Sequence, residues 1–445
     1  MSDATAEPER LLFFDGPLPS LSPDTRRHLL ERAPSDEPAV TAQVAELVAD
    51  VRLRGDTALL EMARRFDGVT LTTLEVPLAA CREALVGLDP ALRGALERAA
   101  DNVRRFHQAQ LPGDVTVEVE PGVRVTRRWA PLERVGVYAP GGRAAYPSSV
   151  LMGVVPAVAA GVSEVVVCSP PGPDGRPPQA VLAACALGGA TRVFAVGGAG
   201  AVAAMAFGTD TVPGVDAIVG PGNRWVTEAK RQVAGRVLID SPAGPSEVLV
   251  LADTSADPAL VAREVMAQAE HDPDAACVVV AVLARDGDRV AWGGAFRRAL
   301  STQLADAPRR DVAAAALAGS GALLFADDVD AAVDFTRAYA PEHLSVMVAS
   351  PDAVARRIPT AGTTFVGPWA SVAFGDYITG ANHVLPTAGR ARSFSGLSTQ
   401  HFIRSYTVQE ITAEGAAALA GDVARLAEAE GLPAHAAAAL ARSAS

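Results

Sequence analysis

Two hydrophobic periodicities divide the chain into regions. Apolar side chains recur every three to four positions between residues 41 and 110, which predicts helices over 42–54, 56–66 and 90–110. Residues 115–129 alternate with period two around the Glu-Pro-Gly of 120–122, which predicts a β-hairpin. From residue 135 onward, short apolar runs alternate with Ala-rich helical stretches, a pattern typical of βαβ units and parallel sheets.

Two βαβ series follow each other along the chain. The first predicts strands at 135–138, 164–168, 192–196 and 217–220. The second predicts strands at 248–251, 277–283, 322–325, 344–348 and 363–366. We therefore predict an α/β fold with two tandem open α/β domains, each an incomplete Rossmann-like unit, and a cleft between them. Open sheets bind ligands beyond the carboxyl ends of their strands, so we expect the site at those ends.

The flanking regions are predicted to dock onto other parts of the protein. Residues 1–35 surround one apolar patch at 11–14 and form an N-terminal helical arm. No strand is predicted after Gly389, and residues 408–445 contain two Ala-rich helical stretches that are too short for a core of their own. Residues 389–445 are therefore predicted to be a C-terminal helical tail. Between arm and tail, 36–130 together with 242–388 would form the first domain, and 131–241 the second.

Composition and charge exclude several partners. The 445 residues are 49% apolar and 20% charged, which is ordinary for a folded protein. A net charge of −12 and a pI near 5.1 do not suit a nucleic-acid or anionic-membrane surface. The acidic opening lacks a basic signal region, and no apolar run reaches the roughly 18 residues of a membrane helix. We expect a cytoplasmic protein without nucleic-acid or membrane partners.

Two scarce residue types limit the chemistry. The cysteines have no CxxC spacing, which favours reduced, structural thiols at Cys81, Cys168, Cys185 and Cys277. Lys230 is the only lysine, and its segment 227–232 predicts that it lies on an exposed helical face. A Schiff-base mechanism through Lys230 is therefore not expected.

One helix end carries candidate metal ligands. Gln268 and His271 lie one turn apart, on one face, just before Pro273 ends a predicted amphipathic helix. An amide oxygen and an imidazole could start a metal site if other segments supplied a carboxylate and a second imidazole. The alternative is that His271 only caps the helix end, where a cation meets the negative end of the dipole.

Gly-rich turns offer candidate phosphate sites. Residues 198–203 follow a predicted strand and match the dinucleotide fingerprint G-x-G-x-x-A. The acid that should bind the ribose ends a strand in that fingerprint, whereas Asp216 begins one, so tight packing is the competing interpretation. Two other strand-to-helix turns, 138–143 and 220–223, also expose backbone N–H groups, and either could bind a phosphate or be a plain turn.

Loops in the second half of the chain concentrate titratable side chains. Glu342 and His343 follow Pro341, which ends a predicted helix, and a connecting loop can direct both into a cleft. Asp376 and His383 lie in a Gly-rich segment, and His435 lies at the start of the last predicted helix. Each histidine could instead be a solvated loop residue.

Six motifs together resemble the histidinol dehydrogenase family, from about residue 40 to His435. In the family's order they are 138–142 (Tyr-Ala-Pro-Gly-Gly), 220–223 (Gly-Pro-Gly-Asn) with 227–232 (Thr-Glu-Ala-Lys-Arg-Gln), 242–248 (Pro-Ala-Gly-Pro-Ser-Glu-Val), 268–271 (Gln-Ala-Glu-His), 341–344 (Pro-Glu-His-Leu), and 375–377 (Gly-Asp-Tyr) with 382–387 (Asn-His-Val-Leu-Pro-Thr). The resemblance implies an NAD-dependent, zinc-requiring oxidation of L-histidinol through L-histidinaldehyde to L-histidine by a homodimer.

The resemblance also implies a set of site residues. The first domain would carry one zinc ion per subunit and the catalytic residues, and the second domain would bind NAD. The zinc ligands, which also contact substrate, would be Gln268, His271, Asp376 and His435 of the partner subunit. Further substrate contacts would come from the catalytic pair Glu342 and His343 and from Ser246, His383 and Glu430. NAD contacts would come from Tyr138, Asn223 and position 200, where Gly200 replaces the family's usual glutamine.

These residues suit distinct roles. An imidazole can take a hydroxyl proton near neutral pH, which suits His343, and a carboxylate can activate the water that adds to the aldehyde, which suits Glu342. Because the tail carries Glu430 and His435, we expect it to cross a two-fold interface and complete the partner's site. The alternatives are a tail packed on its own subunit, a dehydrogenase for another amino alcohol, and a metal-bound binding protein without turnover.

Overall fold

The computed structural model describes residues 11–32, 37–141, 145–241 and 244–443. Residues 1–10, 33–36, 142–144, 242–243 and 444–445 lie outside the described residues. They include parts of the predicted arm and of the motifs at 138–142 and 242–248, and the end of the tail.

Strands are short and mostly apolar, and the second series is buried along most of its length. The strands in the described ranges are β1 (Phe14–Pro17), β2 (Glu75–Val76), β3 (Val115–Glu120), β4 (Val123–Pro131), β5 (Arg134–Tyr138), β6 (Glu164–Ser169), β7 (Arg192–Ala195), β8 (Ala217–Val219), β9 (Leu238–Ile239), β10 (Glu247–Asp253), β11 (Ala276–Val282), β12 (Gly321–Ala326), β13 (His343–Met347), β14 (Thr363–Val366) and β15 (Ile403–Ile411).

Helices alternate with these strands and begin at residues that suit a helix start, such as Asp257, whose carboxylate accepts the N–H of Ala259. The α-helices in the described ranges are α1 (Pro23–Leu30), α2 (Pro38–Arg54), α3 (Asp56–Met62), α4 (Leu78–Val86), α5 (Pro90–Gln108), α6 (Pro147–Ala159), α7 (Gln179–Gly188), α8 (Gly198–Phe207), α9 (Arg224–Val233), α10 (Pro258–Ala269), α11 (Asp286–Ala305), α12 (Arg310–Ser320), α13 (Val329–Tyr339), α14 (Pro351–Ala355), α15 (Val372–Tyr377), α16 (Ala413–Ala429) and α17 (Pro433–Leu440).

Two six-stranded sheets confirm the predicted pair of open α/β units. The first sheet has the order β1-β12-β11-β10-β13-β14 and is parallel throughout. The second sheet has the order β2-β7-β6-β5-β8-β9 and is parallel except at β2. Apart from the edge strands β1 and β2, both sheets reverse direction of winding once, between β10 and β13 and between β5 and β8. Such switch points create a crevice beyond the carboxyl ends of the strands.

The N-terminal arm docks as expected, partly as a strand. Phe14–Pro17 pairs in parallel with β12, so the arm belongs to the first sheet. The predicted assignment of 36–130 to that same domain is wrong for its helices. The helices α2 to α5 pack on α6, α7, α8 and α9 and join the apolar cores of the second sheet. The apolar side chains of these helices pack in the same cores as those of the second sheet, and the position of a helix along the chain does not reveal which core it joins.

The predicted hairpin forms, but it gains a third strand. β3 and β4 are antiparallel, and β15 pairs along the whole length of β4. The prediction that strands end after Gly389 is therefore wrong. The segment 403–411 is rich in β-branched and polar residues and has no clear apolar alternation. Most of its residues are exposed, so the strand is held by its backbone pairing with β4 rather than by burial.

The tail ends in the two predicted helices. α16 and α17 pack chiefly on each other around Ala424, Ala427 and Ala436. None of the helices in the described ranges combines the length and apolar character needed to cross a membrane.

Candidate active site

A cleft of about 500 Å³ lies between the two sheets. One wall comes from the carboxyl ends of β5 and β8, at Tyr138 and Gly220. The other wall comes from the amino ends of β10 and β13, at Ser246 and His343. The expectation that both sheets use their carboxyl ends is thus wrong for the first sheet. A connection of only seven residues, 240–246, leads from the end of β9 to the start of β10, so opposite strand ends of the two sheets become neighbours.

Glu342 and His343 enter the cleft from the end of α13. Ala340 has a left-handed backbone (φ 49°) that ends this helix, and Pro341 prevents its continuation. Both following side chains are buried, with 5% and 4% exposure. A charged or titratable pair so deeply buried needs partners, and the start of β10 supplies them.

The start of β10 holds both side chains. The Ser246 hydroxyl donates to Glu342 Oε2 at 2.7 Å, and the backbone N–H of Glu247 donates to the same oxygen at 2.8 Å. His343 Nδ1 donates to the carbonyl oxygen of Glu247 at 3.0 Å. Because a carbonyl only accepts, this contact fixes the proton on Nδ1 in the neutral imidazole and leaves Nε2 with its lone pair.

His343 Nε2 is the imidazole nitrogen that these contacts leave free. It is buried without a hydrogen-bond partner and lies 3.6 Å from Asp376 Oδ1. Burial lowers the pKa of His343, but the carboxylates of Glu342 and Asp376 outweigh it and raise the pKa to about 10. Burial raises the pKa of Asp376, but contacts with His343 and the charges of His383 and His271 hold it below its usual range.

Two of the three predicted metal ligands of this chain line the cleft. His271 and Asp376 line it, and Gln268 lies one turn before His271, buried, with an amide nitrogen that has no partner. Glu264 of the same helix α10 accepts the N–H of Val372, the first residue of α15, at 3.0 Å. This contact holds the two ligand-bearing helices together. No group of three His, Cys, Asp or Glu side chains within the described ranges is arranged to hold a metal ion.

His383 lies beside the same group. Its Nδ1 donates to the carbonyl oxygen of Asp376 at 2.8 Å. Burial lowers the pKa of His383, against the opposing charge of Asp376, so the imidazole is neutral near pH 7. A neutral ring that presents Nε2 can accept a hydrogen bond from a polar ligand in the cleft.

The opposite wall combines backbone with several polar side chains, among them those of Tyr138 and Asn223. Tyr138 is buried, and its hydroxyl accepts the N–H of Gly198 at 3.2 Å; burial raises its pKa to about 12. Asn223 caps α9, since its side-chain oxygen accepts the N–H groups of Trp225 and Val226. The turn before it starts at Gly220, whose φ of 112° and close approach to Tyr138 exclude a side chain.

Lys230 holds this turn, and its predicted exposure is wrong. It is 4% exposed, pairs with Asp240, and donates to the carbonyl oxygen of Gly220 at 2.9 Å. Asp240 in turn accepts the N–H of Gly220 at 2.8 Å. The single lysine therefore stabilises the turn between β8 and α9. The pattern of 227–232 correctly predicted a helix, but it did not reveal that Lys230 contacts the buried carboxylate of Asp240.

Besides Gln268, three predicted site residues do not line this cleft. Gly200 is buried in α8, where an added Cβ would meet Met62 Sδ at 2.9 Å and Leu59 Cδ2 at 3.2 Å, so it packs against α3 and does not line the cleft. Glu430 and His435 are exposed on the tail, and within their own chain they do not reach the cleft walls.

Two buried residues near the predicted catalytic pair were not singled out in the sequence. Glu247 is 1% exposed at the start of β10, and Arg32 donates to its Oε2 at 2.5 Å. The signal was present for Glu247, because a carboxylate at the head of the apolar run Val-Leu-Val-Leu-Ala must find a partner when the strand is buried. No local signal identifies Arg32.

Fold and site together define an α/β enzyme of the dehydrogenase class. The histidinol dehydrogenase family model matches residues 30–443. The chain belongs to the histidinol dehydrogenase family, oxidoreductases whose known role is in histidine biosynthesis. This confirms the resemblance seen in the six motifs.

Individual relatives cover nearly the whole chain. Histidinol dehydrogenase of Methanothermobacter thermautotrophicus is 48% identical over 415 residues, 93% of this chain and 96% of that protein. The protein of that name from Natronomonas pharaonis is 48% identical over 417 residues, 94% of this chain and 96% of its own. A crystal structure of histidinol dehydrogenase from Elizabethkingia anophelis aligns with a TM-score of 0.91 at 33% identity, over 98% of this chain and 99% of that one.

Proposed function

We propose that this protein catalyses the NAD-dependent, zinc-requiring oxidation of L-histidinol through L-histidinaldehyde to L-histidine. The observation that carries the proposal is the buried pair Glu342 and His343. The Nε2 atom of His343 lies 3.6 Å from Asp376 Oδ1 on one wall of the cleft. The turn 220–223 lies on the other wall. In this proposal the base His343 lies beside the candidate metal ligand Asp376 and faces the N-terminus of α9, which is suited to bind a phosphate.

His343 is the proposed base in both oxidations. In each step the substrate carbon loses a hydride and its hydroxyl loses a proton, and His343 Nε2 takes that proton. NAD, when bound, accepts the hydride, so two NAD are reduced for each histidine formed. Because Nδ1 is held by Glu247, the imidazole ring keeps one orientation through both steps.

Glu342 is the proposed base for water. After the first oxidation, water must add to the aldehyde to give a hydrate, whose second oxidation yields the carboxylic acid. Glu342 Oε2 already accepts from Ser246 and the backbone of Glu247, which leaves Oε1 for a water proton. All four cysteines are buried, and burial raises the pKa of Cys168 to about 12, which argues against a thioester route.

The residues present suit zinc. Gln268, His271 and Asp376 give an amide oxygen, an imidazole and a carboxylate, and no hydrogen bond fixes the buried amide nitrogen of Gln268, so the amide can turn its oxygen toward a cation. Zinc, when bound, would attract the imidazole and amine nitrogens of histidinol and offset the charge of Asp376. His343 then holds its own proton less firmly and can act as a base near neutral pH.

We further propose a homodimer in the cytoplasm, with His435 of the partner subunit as fourth zinc ligand and Glu430 of the partner subunit against the substrate. The support is that both residues are exposed on a tail whose helices pack chiefly on each other. Ser246 and His383 would contact the substrate, and Tyr138 and Asn223 would contact NAD. Gly200 is not carried into this proposal, because it packs against α3.

NADH absorbance tests the reaction directly. Zinc-loaded full-length protein should reduce two NAD per L-histidinol and yield histidine, with little turnover of other amino alcohols. Equal rates with amino alcohols that lack an imidazole would indicate a different substrate. Binding of histidinol without NADH formation would indicate a binding protein, and either result would overturn the proposal.

A further inference from the structure

Arg32, the second residue after α1, is a buried cation between two segments of the active site. Its Nε donates to Glu247 Oε2 at 2.5 Å, and the two side chains are 9% and 2% exposed. Its Nη2 donates to the carbonyl oxygen of Tyr339 at 2.9 Å, and the guanidinium stacks on the Tyr339 ring at 3.4 Å. Nη1 donates to the carbonyl of Leu29, which fixes the guanidinium to the end of α1.

Glu247 and Tyr339, the two residues that Arg32 joins, are each directly connected to the proposed catalytic pair. Glu247 begins β10, and its backbone N–H and carbonyl hold Glu342 at 2.8 Å and His343 at 3.0 Å. Tyr339 ends α13, three residues before Glu342. Between them lies Ala340 in the left-handed region, where a residue with a Cβ is strained and stays only if its surroundings hold it.

We propose that Arg32 is a positioning residue that fixes Glu342 and His343 by joining the start of β10 to the end of α13. The inference rests on the proposed function of that pair. A guanidinium suits this task because its planar set of donors can engage a carboxylate and a carbonyl at once in fixed directions. The N-terminal arm thereby contributes to catalysis although none of its described residues lines the cleft.

A second ion pair of the same arm, with side chains 40% and 25% exposed, provides a control. Asp15 of β1 accepts from Arg297 of α11 at 2.5 and 2.6 Å, so this pair also fastens the arm to the first sheet. Neither residue touches the segments that carry Glu342 and His343. If the arm served only to stabilise the fold, loss of either pair should affect turnover alike.

The test compares two double variants in which both charges are removed, Arg32→Met/Glu247→Gln and Arg297→Met/Asp15→Asn. Removing both partners avoids the isolated buried charge that a single change would leave, so both proteins should fold. We expect kcat with histidinol to fall roughly 10- to 100-fold in the first variant, with KM for NAD within about twofold, because misplacement of a base by about 1 Å has this effect. The control should keep wild-type kcat.

Chemical rescue adds a readout that a purely structural role would not change. In Arg32→Ala, millimolar guanidinium chloride should restore part of kcat relative to equal sodium chloride, and it should not activate the control. Wild-type kcat in the folded first variant, an equal fall in the control, or absence of rescue would overturn the inference. An inactive wild-type protein would instead contradict the proposed function.

Discussion

Glu342 and His343 are neighbours in the chain, but their hydrogen bonds suit them to different proposed tasks. Glu342 offers one free carboxylate oxygen beside Ser246, whereas His343 is oriented through Nδ1 and offers Nε2. The two steps of the reaction should therefore separate by mutation.

Glu342→Gln should oxidise histidinol to the aldehyde at a rate near that of the wild type and fail to oxidise the aldehyde. The amide can still accept from Ser246 and from the Glu247 N–H, but it cannot take a proton from water. We expect a loss of about 10²- to 10⁴-fold in the second step, the usual contribution of a general base. Rates with histidinol and with histidinaldehyde, each followed by NADH formation, measure the two steps.

His343→Asn is the matched comparison, because its amide can keep the contact with the Glu247 carbonyl while losing the base. Both half-reactions should slow to a similar degree. Normal aldehyde oxidation by Glu342→Gln would show that this carboxylate does not activate water.

At the level of single elements, the turn between β8 and α9 depends on one buried ion pair. Lys230 reaches from α9 to the Gly220 carbonyl and to Asp240, and Asp240 accepts the Gly220 N–H. Lys230→Met should lower the free energy of unfolding by about 3–5 kcal/mol, because it leaves a buried carboxylate without its cation. KM for NAD should rise, while KM for histidinol should stay close to that of the wild type. Thermal unfolding and steady-state kinetics measure both effects.

A surface pair serves as the control for this element. Arg357 pairs with Asp330 at 2.6 Å, with side chains 44% and 80% exposed, and Arg357→Met should cost less than about 1 kcal/mol. Because Lys230 is the only lysine, an amine-selective reagent followed by mass spectrometry reports its burial directly. Rapid labelling of Lys230 in the native protein would contradict the buried pair.

At the level of the whole molecule, the tail presents an apolar surface that none of the described residues covers. Leu426, Leu432 and Leu440 are 67%, 42% and 46% exposed on α16, α17 and the residues between them. A two-fold dimer in which each tail covers the other subunit would bury this surface and bring His435 of the partner subunit to the cleft.

Mixed subunits test this arrangement. Inactive His343→Ala and inactive His435→Ala proteins, unfolded together and refolded, should regain about a quarter of wild-type activity, because half of randomly formed dimers are mixed and each has one intact site. Activity that stays at the level of the separate mutants would mean that each site is built from one chain. Refolded wild-type protein controls for losses during refolding.

The sequence by itself determined most of the elements of this protein and the chemical groups of its proposed site. The apolar runs of the second series predicted buried parallel strands, and the order of the motifs predicted Gln268, His271, Glu342, His343 and Asp376 as a set. These features are local, because periodicity and residue type depend on near neighbours in the chain. The hairpin at 115–129 followed from alternation for the same reason.

Only the tertiary structure decided which surfaces meet. It paired β15 with β4, packed α2 to α5 on the second sheet, and set the amino ends of β10 and β13 against the carboxyl ends of β5 and β8. It also buried Lys230 against Asp240 and Arg32 against Glu247, contacts that join residues 10 and 215 positions apart. Such contacts depend on complementary charge and shape across the fold, and the sequence around each residue carries no trace of its distant partner.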